Sequence, residues 1–158
     1  MHRLVVATTL LVLLAGCAVP FRAGQTESEL AAAAGRPTGR YAMPDGTTRL
    51  EYATGPMGRM TWMVDLDSQG RVLRWDQVLD EAHFAAITDG MPRDVLLRTI
   101  GRPAHRAGEW MNRETWSWRY PTNDCLWFRV TLSPEGKVIS GGGYMPDPMC
   151  DAPSRDRE

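Results

Sequence analysis

The sequence predicts an α+β fold made of two tandem helix-helix-three-strand units, with antiparallel sheets and the helices packed on one face. Three observations predict it. The chain repeats at an offset of 66: Gly24 matches Gly90, Leu30 matches Leu96, Gly35-Arg36-Pro37 matches Gly101-Arg102-Pro103, and Arg40 matches Arg106. Val64, Leu66, Gly70 and Val72 carry the match on to Val130, Leu132, Gly136 and Val138 without a gap. Each copy holds a short apolar helix closed by Gly and Pro, and then changes to alternating apolar residues, the period of a half-buried strand. A repeat sets the size of the folding unit, so it comes before any other reading.

The elements follow in order. Each unit opens on Gly and a helix-capping candidate, Thr26 in the first and Asp89 with Pro92 in the second. Leu30 to Ala34 forms the first short helix; Val95, Leu96 and Ile100 mark its copy. Gly35 and Gly101 take the left-handed position past the helix end, and Pro two residues on stops the helix. A polar loop comes next, long in the second unit, from Ala104 to Glu114. Leu50 and Tyr52 alternate as a strand, and so do Trp116, Trp118 and Tyr120. The next strand carries Met60, Trp62, Val64 and Leu66, and in the copy Leu126, Phe128, Val130 and Leu132. Gly70 and Gly136 close hairpin turns, and Val72-Leu73 and Val138-Ile139 begin the returning strands. Trp75, Val78, Leu79 and Ala82 recur at helical spacing, which predicts a helix that joins the units and opens the second one. Gly141-Gly142-Gly143 reads as a flexible or bulged strand end.

Composition excludes several classes. The 158 residues are 43% hydrophobic and 23% charged, a globular balance. Eighteen Lys and Arg against nineteen Asp and Glu give a net charge of -1, which excludes nucleic-acid binding through bulk positive charge. Three Cys and three His are too few and too scattered for a zinc framework.

The N-terminus reads as an address. His2 and Arg3 precede an apolar stretch from Leu4 to Ala15, the length of a signal-peptide core and too short to span a bilayer. It ends in Leu14-Ala15-Gly16-Cys17, which resembles the bacterial lipobox. That resemblance implies cleavage before Cys17 and acylation of Cys17, and Ala18 after it implies the outer membrane. The expected organisation is a signal peptide over 1–16, a lipidated tether over 17–23, a first unit over 24–74, a second over 75–150, and a disordered tail over 151–158. Acyl chains anchor by burying about 0.8 kcal/mol per CH₂, so the chain is expected on the membrane without crossing it.

Gly90-Met91-Pro92, Asp94-Val95-Leu96, Gly101-Arg102-Pro103, Trp116-Ser117-Trp118, Phe128-Arg129-Val130 and Gly136-Lys137-Val138 resemble the SmpA/OmlA (BamE-like) family of outer-membrane lipoproteins. The second unit carries the resemblance over 75–145 and the first more weakly over 24–75. The family resembles one such unit and this chain carries two, a tandem that resembles the arrangement of the β-lactamase inhibitor protein fold. The resemblance implies a non-enzymatic, protein-binding accessory of the cell envelope, with outer-membrane barrel-assembly subunits among its partners. An inhibitor-type module for a soluble periplasmic enzyme or for peptidoglycan is the alternative.

The residues themselves nominate few sites. Cys125 and Cys150 both fall in the mature chain, where an oxidising compartment favours their pairing. Along the middle strand Leu126, Phe128, Val130 and Leu132 share one face, leaving Trp127 and Arg129 on the other. Trp and Arg are enriched where proteins dock, so Trp127, Arg129 and the loop residue Trp110 are the partner-binding candidates; a cover over Trp127 from the first unit or from the tail is the competing reading. Asp65, Asp67, Gln69, Gly70 and Asp76 mimic a calcium loop, but strand alternation before them excludes the flanking helix that loop needs. His83 and His105 stand apart from other ligand types, and no nucleophile elbow or phosphate loop is present. The expectation is therefore no catalytic residues, no metal and no cofactor.

Overall fold

A computed structural model describes residues 19–150. The expected signal segment, the Cys17 anchor and the tail from Asp151 lie outside the described residues. The elements run α1 (Glu27–Ala34), β1 (Gly39–Ala42), β2 (Thr48–Ala53), β3 (Thr61–Leu66), β4 (Val72–Gln77), α2 (Glu81–Phe84), α3 (Arg93–Ile100), β5 (His105–Glu109), β6 (Arg113–Arg119), β7 (Leu126–Leu132) and β8 (Val138–Pro146). They form two four-stranded antiparallel sheets, ordered β1-β2-β3-β4 and β5-β6-β7-β8.

This corrects the expected helix-helix-three-strand unit. Strand covers 41% of the chain and helix 17%, so the fold is β-rich. Two misreadings account for the difference. The segments taken as polar loops are strands β1 and β5, which occupy sheet edges and carry no apolar alternation because little of either is buried. The helix expected from Trp75 to Ala82 is mostly strand: β4 keeps pairing with β3 as far as Trp62–Gln77, and only Glu81–Phe84 turns helical, capped by Asp80. Ladder hydrogen bonds along β3 outweigh a four-residue apolar periodicity. The helices also do not lie on one face only, because α3 stands between the two sheets.

Each sheet has its own core. Leu50, Tyr52, Val64, Leu66 and Val72 face Leu30 of α1 and Phe21. Trp116, Trp118, Phe128, Val130, Leu132 and Val138 face Leu96 and Ile100 of α3 and Phe84 of α2. The two units correspond bond for bond at the offset of 66. Gly24 N–H donates to Val72 and Gly90 N–H to Val138; Glu27 N–H donates to Gly70 and Arg93 N–H to Gly136. The isolated bridges Thr26–Arg71 and Pro92–Lys137 match, as do the pairings Thr48–Leu66 and Glu114–Leu132. Gly70 and Gly136 sit at φ 74° and 75°, a conformation costly for any residue with a Cβ. The caps differ: Thr26 and Glu29 make a reciprocal capping box on α1, whereas Pro92 begins α3 with no side-chain cap.

Candidate functional site

Every strand residue that does not face a core points to the outer side of its sheet. On sheet one these residues are Arg49, Glu51, Thr61, Met63 and Asp65. At the same offset on sheet two stand Thr115, Ser117, Trp127, Arg129 and Thr131. The first set is sealed under the second unit. Glu51 is wholly buried, Met63 is 2% exposed and Asp65 6%.

Each charged group of that sealed face has partners within the molecule. Arg49 grips Asp65 through Nε at 2.6 Å and Nη2 at 2.9 Å, and Arg74 Nε adds 2.8 Å. Burial pushes the Asp65 carboxyl up, but the hydrogen bonds from Arg49 and Arg74 outweigh it and hold it below the ordinary carboxylate range. Glu51 accepts from the Thr38 hydroxyl at 2.9 Å, from the Tyr41 hydroxyl, and from the Arg102 N–H at 3.3 Å. Burial, and then the Glu51 carboxylate its proton serves, push the Tyr41 hydroxyl up. What covers the face is the end of α3: Arg49 Nη1 donates to the Arg98 carbonyl at 2.9 Å. A Cβ on Gly101 would come within 2.8 Å of the Thr61 methyl, so glycine is what lets the helix end seat on the sheet.

The outer face of sheet two is only partly open: Thr115 and Ser117 are buried, and Trp127, Arg129 and Thr131 are half-buried. It holds two adjoining depressions of about 480 and 500 Å³ that share Arg129 and Met145. Trp110 lines the first and Trp127 the second. The structure thus brings the three candidates to one face. Trp110 is not in a long loop, as its polar surroundings suggested; it sits at the tip of the β5–β6 hairpin, 69% exposed. The next two residues, Met111 and Asn112, adopt φ 63° and 56°. A left-handed Met is uncommon outside sites that hold it for a purpose. In the first unit the corresponding turn is Pro44-Asp45-Gly46, with glycine in the left-handed place.

Arg129 is the unusual charge. Its Nε is buried with no acceptor, and Nη1 reaches only the Met145 sulfur at 2.9 Å. It forms no salt bridge among the described residues. Its cross-strand partner on β8 is Gly143, where a side chain would meet nothing within 4 Å, so the space beside the guanidinium stays empty. Gly142 next to it has another reason: a Cβ there would strike the Phe128 ring at 2.3 Å. The glycine run read as a strand end is therefore the middle of β8, and it both clears the core side and bares the outer groove.

Trp127 is half-buried, by its own sheet and by the segment after Tyr144, where Met145 pairs with it and Asp147 accepts from it. The Arg119 guanidinium lies 4.7 Å over its ring and His105 stacks at 5.7 Å. Arg119 is fixed by Asp147 at 2.6 Å and donates to the Pro56 carbonyl of the first unit at 2.6 Å. Burial raises the Asp147 carboxyl, but hydrogen bonds from Arg119 and the Met149 N–H leave it lowered. Cys125 and Cys150 pair as a disulfide with Cα atoms 6.4 Å apart, which ties the start of β7 to the turn after β8 beside Asp147.

Sequence reading missed Met145, Arg119 and Asp147. An alternating strand continued past the glycines would have placed Met145 opposite Trp127; nothing in the sequence links Arg119 to Asp147. His83 sits between Asp80 at 2.8 Å and Asp76 at 3.3 Å, away from His105. Among the described residues no three His, Cys, Asp or Glu side chains converge on a common point, and no helix is long and apolar enough to cross a membrane. Compared with known proteins, the chain matches no family model, no curated protein and no solved structure.

Proposed function

We propose that this chain is a non-enzymatic lipoprotein of the cell envelope, anchored through Cys17 at the outer membrane, which docks a protein on the outer face of its second sheet. The observation that carries the reading is Arg129: a half-buried guanidinium with no salt-bridge partner among the described residues, lining a groove rimmed by Trp110 and Met145. The exposed end of such a guanidinium can donate to an incoming carbonyl or carboxylate. Aromatic and arginine anchors in a water-poor pocket are the usual makings of a protein hot spot.

The anchor is tested by Cys17→Ser, which should abolish fatty-acid labelling and release the chain from outer-membrane fractions; continued labelling refutes it. The docking face is tested with a photo-crosslinking amino acid at Met145 in intact cells. A discrete protein adduct that Arg129→Ala weakens about tenfold is the expected result. Barrel-assembly subunits among the adducts would place the chain in that machinery, and a soluble periplasmic enzyme would make it an inhibitor-type module. No adduct at all overturns the face as a docking site.

A further inference from the structure

The two units cover the aromatic side of their cores differently. In the second unit Phe84 of α2 stacks on Phe128 with ring centroids 4.0 Å apart, and Phe128 is 2% exposed. At the offset of 66 Phe128 corresponds to Trp62, and Glu81–Phe84 of α2 correspond to residues 15–18, which include Cys17 and lie outside the described residues. In the first unit Phe21 takes up the covering role. Its ring centroid lies 5.5 Å from that of Tyr52, 5.8 Å from Trp62 and 6.3 Å from Trp75. One side chain covers less than a helix does: Trp62 and Trp75 are half-buried, and Val19 and Pro20 beside Phe21 are exposed.

Phe21 also limits where the anchor can go. The tether was expected over 17–23, yet Phe21 is 4% exposed and the Gly24 N–H is bonded to the Val72 carbonyl at 2.8 Å, so the chain is already held at Phe21. Only four residue steps separate Cys17 from Phe21. They span at most ~14 Å when fully extended. An acylated Cys17 therefore keeps the membrane surface close to Phe21 and to the two indoles packed on it.

We propose that the first unit rests on the bilayer through this aromatic rim, with Trp62 and Trp75 at headgroup depth beside the acylated Cys17. The inference rests on the reading of Cys17 as the lipid anchor and adds a second membrane contact to it. The rings suit that place. Indole joins a large apolar body to one N–H donor, which is why Trp gathers where a membrane meets water. Trp116 and Trp118 of sheet two engage that donor inside the protein, with Glu114 at 2.8 Å and the Gly101 carbonyl at 3.1 Å. The Trp62 and Trp75 N–H groups reach no acceptor among the described residues and are not buried, so they stay free to donate to lipid headgroups. The anchor already confines the chain to the surface, so even a small rim suffices to hold the contact.

The test uses the full acylated chain, purified from membranes and reconstituted into phosphatidylcholine vesicles whose acyl chains are brominated near the headgroup. Bromine quenches only the indoles it meets. The expected result is quenching of tryptophan emission that is mostly lost when Trp62→Phe and Trp75→Phe are combined, and kept when Trp110→Phe and Trp127→Phe are combined. An unchanged melting temperature of the first variant would show that the loss comes from the rim and not from unfolding. A photoactivatable phosphatidylcholine should also label the peptides that hold Trp62 and Trp75 in the unsubstituted chain, which keeps the test decisive should that variant unfold. An acylated chain that is neither quenched nor labelled there, or quenching that survives the loss of Trp62 and Trp75 in a folded variant, overturns the inference and leaves the anchor standing. A chain that carries no acyl group on Cys17 overturns both.

Discussion

The outer faces of the two sheets begin from the same backbone and end with opposite chemistry. Arg49 and Asp65 on the first pair with each other, and the buried Glu51 is held by the Thr38 and Tyr41 hydroxyls and the Arg102 N–H, all against the end of α3. Thr115, Ser117 and Thr131 at the same places on the second are uncharged; Arg119 beside them is paired with Asp147, while Arg129 has no salt-bridge partner among the described residues. A face that is buried on folding must give each charge a salt-bridge or hydrogen-bond partner, because a lone buried charge is costly. A face that stays open can hold a charge in readiness for something else. The pairing of charges, more than their number, separates a structural interface from a docking surface.

The largest expected effect breaks the sealed face. Asp65→Ala leaves the half-sheltered Arg49 without its partner and should cost about 3–5 kcal/mol, whereas Thr131→Ala at the equivalent place should cost under about 1 kcal/mol. Urea unfolding of the two variants measures the contrast; equal losses would refute the distinction between the faces. Next comes the bond that holds the end of β8. Replacing Cys125 and Cys150 together by Ser should cost about 3 kcal/mol, for a separation of 25 residues. Thermal unfolding of that variant is the measure, and an unchanged midpoint would show the pair to be idle.

The glycine pair sharpens the comparison further. Gly35→Ala and Gly101→Ala both place a Cβ at positive φ, about 1 kcal/mol each. Only Gly101→Ala also drives a methyl into Thr61 and Glu51, which should add about 1–3 kcal/mol. Similar melting temperatures for the two would mean that α3 does not seat on sheet one.

Acid should act mainly on matched carboxylates. Asp65 and Asp147 titrate below the unfolded value of about 3.9, so the stability they confer is fully present above that pH and is lost as pH falls through their lower folded values. Asp65→Asn should flatten this acid limb of the stability curve; a limb as steep as in the parent would exclude Asp65 as its source. The smallest effect on stability belongs to the open face. Arg129→Ala and Trp110→Ala should change unfolding free energy by no more than about 0.5 kcal/mol while weakening docking. A marked loss of stability in either would make that residue part of the fold and not of a surface kept for a partner.

Much of the local plan was legible. Gly70, Gly136, Gly35 and Gly101 mark positions where only a residue without a Cβ adopts the backbone easily, so they stand out in the sequence. The face assignments on β3 and β7 were legible too, because a strand with one buried side must alternate. The edge strands β1 and β5 were not, since exposure on both sides removes the pattern that reveals a strand. Trp75 misled because three apolar neighbours at helical spacing occur within a strand and the turn that follows it, and only pairing with β3 settles which period governs. Of the candidate face, Trp127 and Arg129 followed from alternation, while Met145 lay hidden behind three glycines.

By itself the sequence determined where the chain turns, which side chains of each central strand share a face, and the spacing of 66 that relates the units. Those properties depend on φ preference and side-chain period, and both act over a few residues. Only the tertiary structure decided that Gly101 is buried while Gly35 is exposed, and that one outer face is sealed by α3 while the other keeps two depressions. The two units share their turn glycines and the apolar period of their central strands. The difference between them arises from contacts such as Arg49 to Arg98 and Arg119 to Pro56, formed between residues far apart in the chain, which no local preference specifies.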